Sequence, residues 1–218
     1  MLIFAIYGKN EKDVNYNLTK GIIAKFKNAR VKEIFLPEDM AKPCLGCFNC
    51  YNDNEKHCYA YSKLYKIIEY MTEADLLIFS CPTFCDNMPG YYKSFLDHFA
   101  FMWMLRRPNR IMFKKKAIII STDENSKAKS TIKEIEKNLS WWGISNIYKY
   151  GNYIKNVNES EIEIISNKLF NKVINKKGKV SIKTKLKFYY SKIKLNKNNI
   201  YNYNYWTEEG FLKGKKPW

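Results

Sequence analysis

The chain has 218 residues, 46% of them hydrophobic and 16% aromatic, a composition too apolar for disorder and a length suited to one core with a tail rather than two full domains. No apolar run reaches the roughly 18 to 20 residues of a membrane span, and the short apolar start lacks a basic leader, so a soluble, cytoplasmic protein without an export signal is expected. Lysine and arginine outnumber the acids 38 to 21, a net charge of +17; this raises nucleic acid or an anionic membrane as partners, while the abundance of asparagine beside lysine is equally what a compositional bias of the source genome would leave.

Residues 1–7 are a continuous apolar run ending at Gly8, the pattern of a strand buried on both faces. After a polar loop, Leu18, Ile22, Ile23 and Phe26 recur at helical spacing, and residues 31–37 read as a second strand. A loop with four cysteines spans 42–58. Leu64, Ile67, Ile68 and Met71 mark the next helix, and residues 75–81 a third buried strand stopped by Pro82. A helix starting near Pro89 carries Phe95, Leu96, Phe99 and Met102, and residues 116–121 form a fourth strand. Ile132, Ile135 and Leu139 lie on a helix closed near Gly143; residues 144–151 read as a fifth strand, followed by a helix through Ile162, Ile165, Leu169 and Val173. This alternation predicts an α/β protein with a doubly wound parallel five-stranded sheet in the flavodoxin-like order 2-1-3-4-5, and ligands at the carboxyl ends of the strands.

That domain is expected to span 1–175, with a basic helical C-terminal extension over 176–218. Residues 172–197 hold ten lysines and no acid, and Ile182, Leu186, Tyr189, Tyr190 and Ile193 fall near helical spacing, an amphipathic basic helix. Residues 201–218, rich in Tyr, Asn and Trp with little periodicity, read as an extended arm lying on the domain or on a neighbouring subunit.

Six cysteines in a chain without a secretion signal argue for reduced thiols used in metal or redox work. Cys44, Cys47 and Cys50 follow one another at two-residue gaps and Cys58 follows after a gap of seven. Three close ligands and a fourth at longer reach suit a [4Fe-4S] cluster better than zinc, which usually takes two separated Cys-x-x-Cys knuckles. Zinc and metal-free structural thiols stand as alternatives. Cys81 reads as a buried core thiol. His57 and His98, the two histidines, read as ordinary, and no catalytic side chain is nominated.

The loop after the third strand reads Pro82-Thr83-Phe84-Cys85-Asp86-Asn87-Met88, followed by a helix containing Lys93 and Asp97. It resembles the flavin loop of the NAD(P)H-dependent FMN reductases within the flavodoxin-like superfamily, and the cysteine spacing resembles that of the iron–sulfur flavoproteins of the same superfamily. The similarity extends over residues 1 to about 150 and over the terminal 205–218. It implies FMN at the strand ends, with Pro82, Thr83, Phe84, Cys85, Asp86, Asn87 and Met88 along the isoalloxazine ring. It implies also NAD(P)H as the electron donor and a homo-oligomer whose second subunit completes the pocket.

The chain departs from that pattern at two of three flavin loops. After the first strand the serine, arginine and threonine that usually surround the phosphate are absent, leaving Lys9, Asn15, Tyr16 and Asn17 as the side chains at hand. After the fourth strand, Ser121, Thr122 and Asp123 open a segment where relatives are glycine-rich. The expected function is an FMN-dependent NAD(P)H oxidoreductase passing electrons, through a cluster if one is held, to an unidentified acceptor. The alternative is a flavodoxin-fold electron carrier or binding protein without reductase activity. The lysine-rich segment is expected to give at most weak, salt-sensitive association with anionic surfaces and no specific nucleic-acid binding.

Overall fold

The apolar runs become the strands of one all-parallel sheet, and alternate side chains of each strand feed opposite layers. In chain order the elements are β1 (Leu2–Tyr7), α1 (Val14–Ala24), β2 (Arg30–Phe35), α2 (Asn49–Asn52), α3 (Tyr61–Glu73), β3 (Leu76–Ser80), α4 (Gly90–Asp97), α5 (Arg110–Lys114), β4 (Lys116–Asp123), α6 (Lys129–Trp141), β5 (Asn146–Tyr153), α7 (Glu159–Asn175), α8 (Ile182–Ile193) and α9 (Ile200–Glu208). The computed structural model describes residues 1–40, 42–123, 128–153, 157–175 and 178–218, with the side chains of Asp123 and Tyr153 outside that set. The strand order is β2-β1-β3-β4-β5, the flavodoxin-like arrangement.

Register aligns the alternation across strands: Phe4 pairs with Leu77 and Leu77 with Ala117, and all three belong to one core layer. Their neighbours Ile3, Leu76, Ile78 and Ile118 belong to the other. The first layer is closed by α3, α4 and α6 through Leu64, Ile67, Met71, Phe95, Leu96, Ile135 and Leu139. The second is closed by α1 and α7 through Leu18, Ile22, Leu169 and Val173. These two helices touch at Gly21, where a Cβ would lie 2.6 Å from Ile162 and 2.7 Å from the Ser166 hydroxyl. Among the described residues no helix is long and apolar enough to cross a membrane.

Two sequence expectations are corrected. The helix from Pro89 does not run to Met102: α4 ends at Asp97, and Ala100–Leu105 forms a separate 3₁₀ segment in which Met104 and Leu105 adopt left-handed φ values of 53° and 50°. The aromatic arm is not extended. It forms α9, capped by the Asn199 side chain accepting from the Asn202 amide at 3.0 Å, and it packs on this same chain. The basic helix α8 buries Thr184, Phe188 and Ser191, whereas Ile182, Leu186, Tyr189, Tyr190 and Ile193 face outward.

Phe188 is the centre of a third core that joins the extension to the sheet domain. Its ring stacks on Trp206 at 5.0 Å and meets Phe211, Trp218 and Phe113 edge-on at 5.5, 5.4 and 6.5 Å. Replacing a fully buried aromatic at such a junction leaves a cavity bounded by four other rings. Phe188→Ala is expected to lower the unfolding free energy by about 3–5 kcal/mol in denaturant titration; a loss below about 1 kcal/mol would show that the extension contributes little to the fold.

Candidate functional site

At the carboxyl ends of β1, β3 and β4 the chain turns of the predicted site meet. The Gly8 amide donates to the Ser80 carbonyl at 2.7 Å, and the Tyr91 hydroxyl donates to the Gly8 carbonyl. Gly8 is required by this approach, since a Cβ there would sit 2.9 Å from both Pro82 and the Tyr92 ring. Beneath the loop, the Thr83 hydroxyl is 3.0 Å from that of Ser121 and donates to that of Thr131 at 2.9 Å, while the Thr83 amide donates to the Thr122 carbonyl at 3.2 Å.

Residues 84–87 then form a tight turn. Phe84 and Asn87 exchange both backbone hydrogen bonds, and Cys85 and Asp86 between them have φ values of 47° and 58°. Two consecutive non-glycine residues with positive φ are uncommon, and each costs on the order of 1 kcal/mol or more. In this geometry the amides of Cys85 and Asp86 have no partner within the turn, and the Ser130 hydroxyl pins it by donating to the Asp86 carbonyl. Phe84 is 69% exposed on the rim, whereas Met88 is buried.

The β1 side is built differently. Asp13 caps α1, its carboxylate accepting the Tyr16 amide at 2.8 Å, so a negative charge already occupies the helix N-terminus. Lys9 pairs with Glu11 at 2.5 Å. Tyr16 turns its ring toward Tyr7 and Phe35, with centroids at 5.4 and 6.4 Å, in the α1 layer of the core. Asn17 is exposed. Asn15 is buried and its carbonyl accepts from the Ser80 hydroxyl at 3.3 Å, but its side-chain oxygen is buried without a hydrogen-bond partner among the described residues. Ser121 and Thr122 lie on β4 behind Thr83; the Asp123 side chain and residues 124–127 lie outside the described residues.

The structure thus brings Asn15, Pro82 to Met88, Ser121 and Thr122 together at the carboxyl ends of β1, β3 and β4, and packs the Tyr16 ring into the α1 layer instead. An exposed aromatic, turn amides and an orphaned buried acceptor fit a flat heteroaromatic ring with a polar edge such as a flavin. The phosphate end fits less well, because the carboxylate of Asp13 holds the amide an anion would take.

The four clustered cysteines line a cavity of about 410 Å³ together with Leu45, Gly46, Phe48, Tyr59, Asp97, His98 and Ala100. Left-handed Gly46 (φ 64°) and Phe48 (φ 59°) fold the Cys44–Cys50 stretch back on itself, and the Cys44 amide donates to the Ser94 hydroxyl of α4 at 2.7 Å. Burial, then repulsion from Cys58, Cys44 and Cys47, pushes the Cys50 thiol up to about 11, with Arg107 opposing; burial likewise raises Cys44. Thiols that disfavour one another's negative forms suit a shared cationic centre. Among the described residues no group of three or more His, Cys, Asp or Glu side chains is arranged around a single metal ion. Cys81 is buried in the core, as expected, and Cys85 is exposed on the 84–87 turn.

Two further residues hold this cavity: Arg107, which no motif marks, and His98, which reads as ordinary in the sequence. Arg107, 5% exposed, donates to the carbonyls of Cys50 and Asp53, pairs with Glu55, and binds the Asn202 side chain of α9 at 3.0 Å. His98, at the end of α4, donates from Nε2 to the Lys42 carbonyl at 2.9 Å and places Nδ1 3.7 Å from the Cys58 sulfur. His57 is exposed and paired with Asp53. Helix α4 links the 82–88 loop to the cysteine cavity: its first residues follow the loop and its end lines the cavity, about 12 Å away at 1.5 Å of rise per residue.

The profile of the NADPH-dependent FMN reductase family matches residues 1–156. An iron-sulfur flavoprotein of Clostridioides difficile is 29% identical over 135 residues, 59% of this chain and 54% of that protein. Another, from Archaeoglobus fulgidus, is 30% identical over 115 residues, 51% of this chain and 56% of that protein. The chain spans about half the length of these curated relatives. Among solved structures, an FMN-dependent NADH-azoreductase of Bacillus anthracis in complex with FMN shares the fold, with a TM-score of 0.58 and 11% identity, over 80% of this chain and 97% of that one.

Burial lowers the His98 pKa, against the opposing pull of the Lys42 carbonyl and Asp97. Below about pH 6.5 the unfolded chain therefore binds a proton that the folded chain does not, and stability falls with acidification. His98→Gln, which keeps a donor toward Lys42, is expected to flatten the pH dependence of Tm between pH 6.5 and 5; an unchanged slope would mean His98 titrates normally in the fold.

Proposed function

The chain belongs to the NADPH-dependent FMN reductase family, and from that premise we propose that it is a flavin-dependent oxidoreductase that binds FMN at the carboxyl ends of β1, β3 and β4. The observation that carries the reading is the strained turn at Cys85 and Asp86, seated on the Thr83, Ser121 and Thr131 hydroxyls beside an exposed Phe84. When bound, FMN supplies hydride acceptance from NAD(P)H and onward delivery of the electrons. The chain's own part is geometric and electrostatic: Pro82 to Met88 would flank the ring, the turn amides would donate to its polar edge, and the Asn15 side chain would offer a further polar contact. No side chain need act as acid or base, because hydride transfer moves no separate proton.

We further propose that Cys44, Cys47, Cys50 and Cys58 hold a [4Fe-4S] cluster, which when present supplies one-electron transfer. The shared cavity and the mutual repulsion of the thiols support this, as do the names of the two curated relatives. The exposed apolar residues near both sites, Leu45, Phe48 and Phe84, support a homo-oligomer in which a second copy covers them. The acceptor is unassigned.

Anaerobically purified protein is expected to show a flavin spectrum, to release FMN on heating, and to oxidise NAD(P)H in the presence of an artificial acceptor. FMN bound without NAD(P)H oxidation would favour the electron-carrier reading; no flavin retained or rebound in excess FMN would overturn both. Because Asp13 opposes the phosphate, Asp13→Ser, which keeps a cap, is expected to tighten FMN about tenfold in a fluorescence titration, the effect of roughly 1.4 kcal/mol. Weaker binding in that variant would mean the phosphate sits elsewhere.

Iron and acid-labile sulfide are each expected near four per chain after anaerobic reconstitution, and Cys47→Ser to lower both. An iron content that Cys47→Ser leaves unchanged would remove the cluster from the account.

A further inference from the structure

Helix α8 wears its apolar stripe on the outside. At about 100° per residue, Ile182, Leu186, Tyr189, Tyr190 and Ile193 share an arc about 100° wide, and the buried Thr184, Phe188 and Ser191 lie on the opposite side of the helix. Ile182, Leu186 and Ile193 are 77%, 63% and 81% exposed, and the two tyrosines about half that. A soluble helix normally turns such a row inward. Here the inward positions are occupied by the Phe188 core, with the Ser191 hydroxyl bonded to the Met104 carbonyl at 2.5 Å and Ser145 donating to Thr184 at 2.8 Å. The orientation is therefore fixed by packing.

Lysines border the stripe on both sides. Lys183 and Lys194 stand exposed along one edge; Lys185 and Lys192 lie along the other, Lys185 over the Trp218 ring at 5.5 Å and Lys192 on the carbonyls of Phe211 and Leu212. Lys187 lies over Trp141. Among the described residues no carboxylate forms an ion pair with a lysine of α8; Glu136 of the neighbouring α6 is paired with Lys149, and Glu209 with Arg110.

We propose that α8 is a docking surface for an anionic lipid bilayer, on which the whole domain lies with this helix parallel to the membrane plane. Isoleucine and leucine enter the acyl boundary, Tyr189 and Tyr190 sit at headgroup depth, and Lys183 and Lys194 meet lipid phosphates. The charge selects this occupant over a second copy of the chain, since two such faces would bring like-charged lysine rows together. It selects the bilayer over nucleic acid as well, because three largely exposed aliphatic side chains gain nothing from a phosphate backbone. The proposal is independent of the flavin reading.

The test is flotation of the full chain with vesicles of phosphatidylcholine alone or mixed equally with phosphatidylglycerol. Binding is expected to the anionic vesicles only, to weaken about tenfold in the Lys183→Gln/Lys194→Gln variant, and to be lost in Ile182→Ser/Leu186→Ser/Ile193→Ser. The wild-type protein should keep part of its binding at 0.5 M salt, where charge alone is screened. An unchanged unfolding midpoint in the serine variant shows that the face, not the fold, is lost. Absence of binding at low salt, or retention by the serine variant, overturns the proposal. So does a lipid-free dimer in sedimentation equilibrium that the serine variant dissociates, which would assign the stripe to a second copy.

Discussion

The position of the cysteine segment rests on one buried guanidinium. Between β2 and α3 the chain has a single one-turn helix and two 3₁₀ turns, too little regular structure to fix its own path. Arg107 fixes it by satisfying two carbonyls of that segment and the Glu55 carboxylate at once, with its plane lying over the Tyr201 ring at 4.5 Å. Burying such a group is unfavourable unless its donors are all engaged, and burial accordingly lowers its pKa while Glu55 opposes the shift. The last helix supplies the remaining contacts: Asn202 binds both Arg107 and the Tyr51 carbonyl. The thiol cavity is in this sense built from both ends of the molecule.

The sheet and the cysteine segment solve different problems. Strand ends place the 82–88 loop by backbone hydrogen bonds, which depend little on side-chain identity, so the side chains of the loop after β1, Asp13 and Tyr16 among them, can differ without moving it. The cysteine cavity depends on side chains throughout, including Ser94, His98 and Arg107. Helix α4 carries both sets of constraints, meeting the strand ends at Tyr91 and the thiols at Asp97 and His98.

The sheet was legible because a strand buried on both faces needs an unbroken apolar run, and residues 2–7, 76–79 and 117–120 each supply one. The cysteine spacing announced a shared cavity for a similar reason, since short gaps keep the thiols close. What was hidden is non-local. Arg107 and Asn202 are 95 residues apart, and nothing near either marks the other as its partner. Periodicity marked helix α8 through Ile182, Leu186 and Ile193 but not which side turns inward: the row with Phe188 faces a ready aromatic pocket formed by Phe113, Trp206 and Phe211, distant in sequence. Helix α9 lacks an apolar repeat because two of its buried residues are Asn202, held by hydrogen bonds, and Trp206, whose indole donates to the Arg106 carbonyl at 2.7 Å.

The bond between Arg107 and Asn202 also has a consequence in time. Translation proceeds at roughly 5–20 residues per second, so the 95 positions between them take on the order of 5–20 s to add. When that interval begins β1 to β3 are already made, and β4 and β5 are added within it, while the guanidinium lacks one of its partners and the cysteine segment has yet to meet α9. The segment that carries the thiols is thus held by fewer bonds until well after the first strands exist, and its final path is set by the last helix to leave the ribosome.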